Sequence, residues 1–223
     1  MKTVAIIQAR IGSTRLPRKV LMEINGKPML WHIINRVKQS KLINDIVVAT
    51  TTNDEDKAII NLVRQSGVKG FRGSENDVLD RYYQTVAIMR LSHSRHIDAI
   101  VRITSDCPLI DPKVIDKTIG LFQTGNYDYV SNTGTYPDGL DTEVFSFDAL
   151  RKAWVEAIDP YDREHVTPYI INHPGLFRIG KLGKYINRFK WSVDTEQDLE
   201  FVRWIYQELG DNFHLEDIIE LLK

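Results

Sequence analysis

The sequence predicts an α/β fold in which a mostly parallel, mixed sheet carries helices on both faces. Three observations support this. Short β-branched runs recur along the chain with too few polar positions for either face to meet water. Between them lie stretches whose apolar residues fall at helical spacing. Finally, 223 residues with 43% hydrophobic and 26% charged side chains suffice to bury a large core in one unit.

In chain order, Val4–Ile7, Ile46–Thr50, Val68–Phe71, Ala99–Ile103 and Tyr127–Val130 read as buried strands. Leu30, Ile33, Ile34 and Val37 form one helical stripe opened by Pro28. Ile59, Leu62 and Val63 form another after Asp54-Glu55-Asp56, acids suited to a helix N-terminus. Val78, Leu79, Tyr82, Tyr83 and Val86 follow, then Val114, Ile115, Ile119 and Phe122 behind Asp111-Pro112. Strand–helix alternation of this kind implies parallel crossover units. Beyond Asn126 the pattern loosens. Leu140–Phe147 alternates like a strand, a helix starts at Asp148, and Phe177–Ile179 and Lys190–Val193 read as short strands. Two helices close the chain, the last striped by Leu215, Ile218, Ile219 and Leu222.

Charge and composition exclude several classes. A formal net charge of −1 argues against a general nucleic-acid or membrane-surface binder. The lone Cys107 excludes an intramolecular disulfide framework and a Cys-rich metal site. No apolar run approaches the roughly 20 residues of a membrane span, and no signal peptide is visible, so a cytoplasmic address is expected. Four of the six histidines, His32, His93, His96 and His173, sit in surface-like contexts.

Ligands of open α/β sheets bind outside the carboxyl ends of the strands, which directs attention to the loops there. After the first strand comes Gln8-Ala9-Arg10-Ile11-Gly12-Ser13-Thr14-Arg15-Leu16-Pro17-Arg18-Lys19. Residues 1–27 carry six basic side chains against one acid, Glu23. Small residues, hydroxyls and forked guanidinium donors in one loop suit a polyphosphate, although a charge run of this kind can also be a solvated surface loop. The loop has neither P-loop spacing nor a dinucleotide fingerprint. Asp106 ends a strand before Pro108, and Asp194 follows Trp191-Ser192-Val193. Each could ligate a hard cation opposite a triphosphate, or merely form a turn or cap a helix. Asn126–Leu150 gathers Asp128, Asp138, Asp141, Glu143 and Asp148 with no Lys or Arg; Asp141 and Glu143 could accept from sugar hydroxyls or simply be solvated. Arg163-Glu164-His165 could meet an anionic group, or belong to a helix opened by Asp162. Asp77, Asp80 and Arg81 read as caps or ion pairs on their helix, and Cys107 lacks the flanking base of a nucleophile.

The string IIQARIGSTRLPRKVLMEINGKPML resembles the opening of the cytidylyltransferases that make CMP-activated sugar acids, the CMP-Kdo and CMP-sialate synthetases. More closely still, it resembles their spore-coat polysaccharide synthesis (SpsF-type) branch. Further blocks are IVVATT, FRGSENDVLDRYY, VRITSDCPLIDP, YPDGLDTEVFSF, REHVTPYI and WSVDTEQDLE, so the resemblance runs almost end to end. It implies a Rossmann-like three-layer α/β/α nucleotidyltransferase (GT-A-like) fold in a single domain, 1–223, with an excursion at about 133–190 for acceptor binding and dimer contacts. It implies a CTP-dependent enzyme that couples CTP to an acidic sugar with Mg²⁺, in a cytoplasmic homodimer of surface polysaccharide synthesis.

Carried onto this chain, the resemblance expects Ala9, Arg10, Gly12, Ser13, Arg15, Lys19, Arg72 and Ser74 around the nucleotide. Asp106 and Asp194 would hold metal, with Arg10, Lys19 and Asp106 catalytic. Asp141, Glu143, Arg163 and His165 would meet the acceptor. The chain departs from the sugar-acid synthetases at Thr104-Ser105-Asp106-Cys107-Pro108, where they usually carry Gln-Gly-Asp-Glu-Pro. Another acidic or phosphorylated acceptor therefore stays open. So does a nucleotide-sugar glycosyltransferase, although the Asp-x-Asp typical of those enzymes is missing, and so does a non-catalytic nucleotide-binding protein.

Overall fold

The computed structural model describes residues 1–93, 96–183 and 189–223. Its centre is a seven-stranded mixed sheet. The parallel half comprises β1 (Thr3–Gln8), β4 (Asp45–Thr51), β5 (Lys69–Gly73) and β6 (Ala99–Thr104). To these are added β7 (Tyr129–Ser131), β8 (Glu143–Ser146) and β9 (Ile179–Lys181), giving the spatial order β5-β4-β1-β6-β8-β7-β9. The strand β8 runs antiparallel to both of its neighbours, whereas β9 is parallel to β7. Between β1 and β4 a small hairpin, β2 (Glu23–Ile24) and β3 (Lys27–Pro28), precedes α1 (Met29–Lys38).

Alternation along β1 divides the core. Ala5 and Ile7 face a layer made by α1, α2 (Lys57–Gln65), α4 (Pro112–Thr124), α8 (Glu196–Leu209) and α9 (Leu215–Leu221). Val4 and Ile6 face α3 (Val78–His93), α5 (Phe147–Glu156) and the one-turn α7 (Pro168–Ile171). The short α6 (Pro160–His165) packs on α3. A sheet with apolar side chains on both faces has to be covered twice, and the three-layer α/β/α architecture does so.

The structure corrects several local expectations. The strand read at Leu140–Phe147 is formed only by Glu143–Ser146, because Leu140 to Thr142 is taken up in a turn braced by Asn132. Among the described residues no ladder runs along Lys190–Val193, and only Lys190 bridges, to Asp138. The helix α6 is capped by Asp159, whose carboxylate accepts from the Tyr161 amide, rather than by Asp162. His32 is buried, not surface-like, because the β2–β3 hairpin and α8 cover its face of α1 and its Nε2 bonds the Ile24 carbonyl. Asp111, by contrast, caps α4 where Asp111-Pro112 predicts it. Among the described residues no helix is long and apolar enough to cross a membrane.

Candidate active site

Lys19 and two aspartates meet beyond the carboxyl end of β6. The Lys19 ammonium donates to the Val193 carbonyl at 2.6 Å and lies 3.4 Å from Asp106 Oδ2 and 3.3 Å from Asp194 Oδ1. The Lys19 and Asp194 side chains retain only 11% and 13% exposure, so little water screens the pair. Backbone geometry explains why residues so distant in sequence converge. The Val193 amide donates to the Asp106 carbonyl at 2.8 Å, which stitches the segment before α8 to the end of β6. Thr195 then opens α8 with a capping box to Asp198, so Asp194 sits just outside a rigid helix start. Burial by itself would raise the Asp106 carboxyl. The Lys19 ammonium and hydrogen bonds from Thr104 and Cys107 outweigh it and hold the group below the usual carboxylate range.

The loop after β1 forms the facing wall. Its path is set from below by Asp56, whose buried carboxylate accepts the Ile11 amide at 2.8 Å and also binds Thr51. Arg18 adopts φ 61°, the left-handed turn that directs the chain into the 3₁₀ turn Lys19–Leu21. The amides of Gly12, Thr14 and Arg15 meet no acceptor among the described residues, leaving donors for an anion. Arg15 reaches Asp194 Oδ2 at 2.9 Å with 68% of its side chain exposed, a contact that costs little to release. Arg10 lies 3.8 Å from Glu75.

A cleft of about 250 Å³ opens between the loop and Asp106, with Asp194 behind Lys19 and, like Gly12, outside its lining. It is lined by Ala9, Arg10, Ser13, Arg15, Lys19, Asp106 and His165 from the expected set. Glu164, Thr104, Ser105, Gln8 and Arg81, which had not been expected there, line it too. Arg81 is the clearest addition. It is 2% exposed and, among the described residues, bonds only the Ser74 carbonyl through Nη1 and leaves Nε unpartnered. Helical spacing suggested an ion pair on α3, yet no carboxylate lies within salt-bridge distance of Arg81 among the described residues. A buried cation on the wall of a cationic cleft was legible only once α3 had been placed.

Other expected residues lie elsewhere or have committed partners. Arg72 braces the loop after β4 through the carbonyls of Thr51, Thr52 and Asn53. The Ser74 hydroxyl accepts from the Asp77 amide ahead of α3, and Asp77 accepts from the Asp80 amide, as the capping reading predicts. Arg163 turns from the cleft to Asp77 at 2.7 Å and to the carbonyls of Trp154 and Ala157. Glu143 is buried under the sheet end, bound by Arg102, Tyr129 and Thr167. Asp141 is half-buried and held by the Gly139 amide; burial, reinforced by Asp138, pushes its carboxyl up to about 6. Cys107 is buried against Thr104 and Asp106, and burial pushes its thiol well up, the opposite of an activated nucleophile.

His165 remains the acceptor-side candidate. It ends α6 immediately before Val166, a buried β-branched residue at φ 73°, where strain is tolerated only if the surroundings enforce it. Arg163 on one side and Thr167 on the other are both pinned, so this bend presents Glu164 and His165 to the cleft.

Comparison with known proteins extends these observations. The family profile described as "Cytidylyltransferase" matches residues 4–221. The spore coat polysaccharide biosynthesis protein SpsF of Bacillus subtilis is 33% identical over 217 residues, covering 92% of this chain and 87% of its own. The 3-deoxy-manno-octulosonate cytidylyltransferase of Brucella suis is 38% identical over 130 residues, 57% of this chain and 49% of its own length. A solved cytidylyltransferase from Leptospira borgpetersenii superposes with a TM-score of 0.92 at 32% identity, covering 100% of this chain and 94% of that one.

Proposed function

This chain belongs to the cytidylyltransferase family, and from that premise we propose that it couples CTP to an acidic sugar, a nonulosonic or Kdo-like acid, giving a CMP-sugar and pyrophosphate for surface polysaccharide synthesis. Membership makes it a CTP-dependent nucleotidyltransferase, so glycosyl transfer and mere nucleotide binding fall away as its activity. The observation that carries the finer reading is the Lys19 ammonium set between Asp106 and Asp194 at one end of a cationic cleft. The similarity to SpsF and to a 3-deoxy-manno-octulosonate cytidylyltransferase supports a sugar acid as acceptor.

The donor set fits Mg²⁺. Hard carboxylate oxygens on two adjoining segments suit a cation that takes one or two carboxylates and completes its shell with phosphates and water. No three ligating side chains converge among the described residues, which leaves the remaining positions to the substrate. Asp106 and Asp194 would hold the ion, which neutralises triphosphate charge when bound.

The protein's own part is positioning and electrostatics. Lys19, Arg10 and Arg15, with Arg81 behind them, receive the β- and γ-phosphates. The free amides of the first loop add dipoles to the same anion. Arg15 gives up Asp194 for phosphate, an exchange of one anionic partner for another. The acceptor oxygen bonds to the α-phosphorus as the bond from that phosphorus to the bridging oxygen breaks. The pyrophosphate carries the developing charge toward the basic loop, and the acceptor's proton passes to solvent. His165 and Asp141 flank the acceptor side.

The test is pyrophosphate release on mixing the protein with CTP, Mg²⁺ and a panel of sugar acids and phosphorylated sugars. Release with a sugar acid is expected. Release only with a phosphorylated acceptor would replace the acceptor class. No release with any acceptor, despite retained CTP binding, would overturn the reading.

A further inference from the structure

The loop that leaves β6 with Asp106 has its carbonyls held from behind by one main-chain amide and two buried side chains. The Val193 amide takes the Asp106 carbonyl at 2.8 Å, the Tyr206 hydroxyl donates to the Pro108 carbonyl at 2.8 Å, and Arg36 Nε donates to the Ile110 carbonyl at 2.6 Å. Arg36 Nη2 continues to the Phe213 carbonyl at 2.9 Å, with the guanidinium 4.0 Å from the Phe213 ring. Arg36 is 1% exposed and Tyr206 fully buried, and among the described residues no carboxylate lies within salt-bridge distance of Arg36. Arg36 Nε and Nη2 and the Tyr206 hydroxyl are committed to main-chain carbonyls, while Arg36 Nη1 meets no partner among the described residues.

Tyr206 lies in the third turn of α8, the helix at whose start Asp194 stands. One helix thus carries one aspartate at its N-terminal end and, three turns on, the hydroxyl that grips the loop of the other. We propose that Tyr206, supported by Arg36, is a positioning residue that fixes Asp106 relative to Asp194 and so sets the affinity of the pair for a divalent cation.

The physical basis is that outer partners of carboxylate ligands orient them, and their loss commonly weakens metal binding by about 10- to 100-fold. The ring of Tyr206 packs between His32 and Phe213, contacts that Tyr206→Phe preserves while removing the one hydrogen bond to Pro108. The inference rests on the metal reading above, so the experiment separates the two. Mn²⁺ binding is followed by electron paramagnetic resonance in the presence of CTP for the wild type, Tyr206→Phe, Arg36→Lys and Asp106→Asn. Metal-free CTP affinity and the melting temperature are measured alongside.

The expected result is an Mn²⁺ dissociation constant raised about tenfold in Tyr206→Phe, in the same direction in Arg36→Lys, with metal-free CTP affinity unchanged. The CTP control also shows that each variant is folded. Wild-type Mn²⁺ affinity in Tyr206→Phe, with only a lower melting temperature, would overturn the inference and leave Tyr206 a core residue. If the wild type and Asp106→Asn bind Mn²⁺ alike, the metal reading fails first and the positioning role fails with it.

Discussion

Lys19 neutralises two carboxylates at once, so its removal acts on the ground state as well as on catalysis. Lys19→Met keeps the length and removes the charge. Steady-state pyrophosphate release should fall by roughly 10² or more, the cost of deleting one preorganised donor to a developing oxyanion. Near-native turnover would dismiss its assigned role. Asp141 lends itself to a pH measurement. Its folded-state carboxyl titrates near 6, above the roughly 3.9 of an unfolded aspartate. Stability from this group is therefore whole below about pH 4 and is lost as pH rises through 6. Asp141→Asn should raise the melting temperature at pH 8 but leave it nearly unchanged at pH 4. Equal shifts at both values would show that burial of Asp141 costs nothing. The placement of Lys19 and Asp106 was legible in the sequence, because a loop after a strand and an aspartate at a strand end can be located before any coordinates exist; Asp194 was singled out behind a strand that does not form, and the family resemblance is what drew attention to it. The placement of Arg81 and Tyr206 was not legible, since helical spacing describes a face and not what that face meets.

Among the elements, the segment that ends at Asp194 is aligned by Gly139. Its φ is 102°, and an added Cβ would lie 2.6 Å from the Trp191 carbonyl carbon and 2.7 Å from the Ser192 nitrogen. Gly139→Ala should therefore destabilise the fold by about 1–3 kcal/mol, read by urea denaturation, and should weaken activity beyond that loss because Trp191–Asp194 must shift. Unchanged stability would mean that the turn has room the geometry does not show. The long elements were legible because their periodicity is decided locally: β1, β4 and β6 lie where β-branched runs predict them, to within a residue or two. The one-turn α7 and the two-residue strands β2 and β3 carry too few positions for any period, and they exist because a neighbour covers them. The same reason shortens β8, where Asn132 competes for the backbone at Leu140 and Thr142.

For the whole molecule, a ligand that selects the native fold raises its apparent stability by about 2.7 kcal/mol at 100 times its dissociation constant. CTP with Mg²⁺ should therefore raise the melting temperature measurably, and the other three nucleoside triphosphates should do so less; equal shifts for all four would remove base selectivity. The three-layer architecture follows from a sheet that is apolar on both sides, which is why the sequence discloses it so fully. What the acceptor side recognises is another matter: Glu143 and Arg163 look like ligands by charge, and the fold consumes both internally.

The hydrogen bond from the Val193 amide to the Asp106 carbonyl joins the middle of the chain to its closing segment. During synthesis the basic loop and Asp106 emerge well before Val193, Asp194 and Tyr206. A nascent polypeptide therefore holds Lys19 and Asp106 well before it holds Asp194, and truncation between Lys181 and Trp191 should yield a product that has all the strands of the sheet and no competent centre.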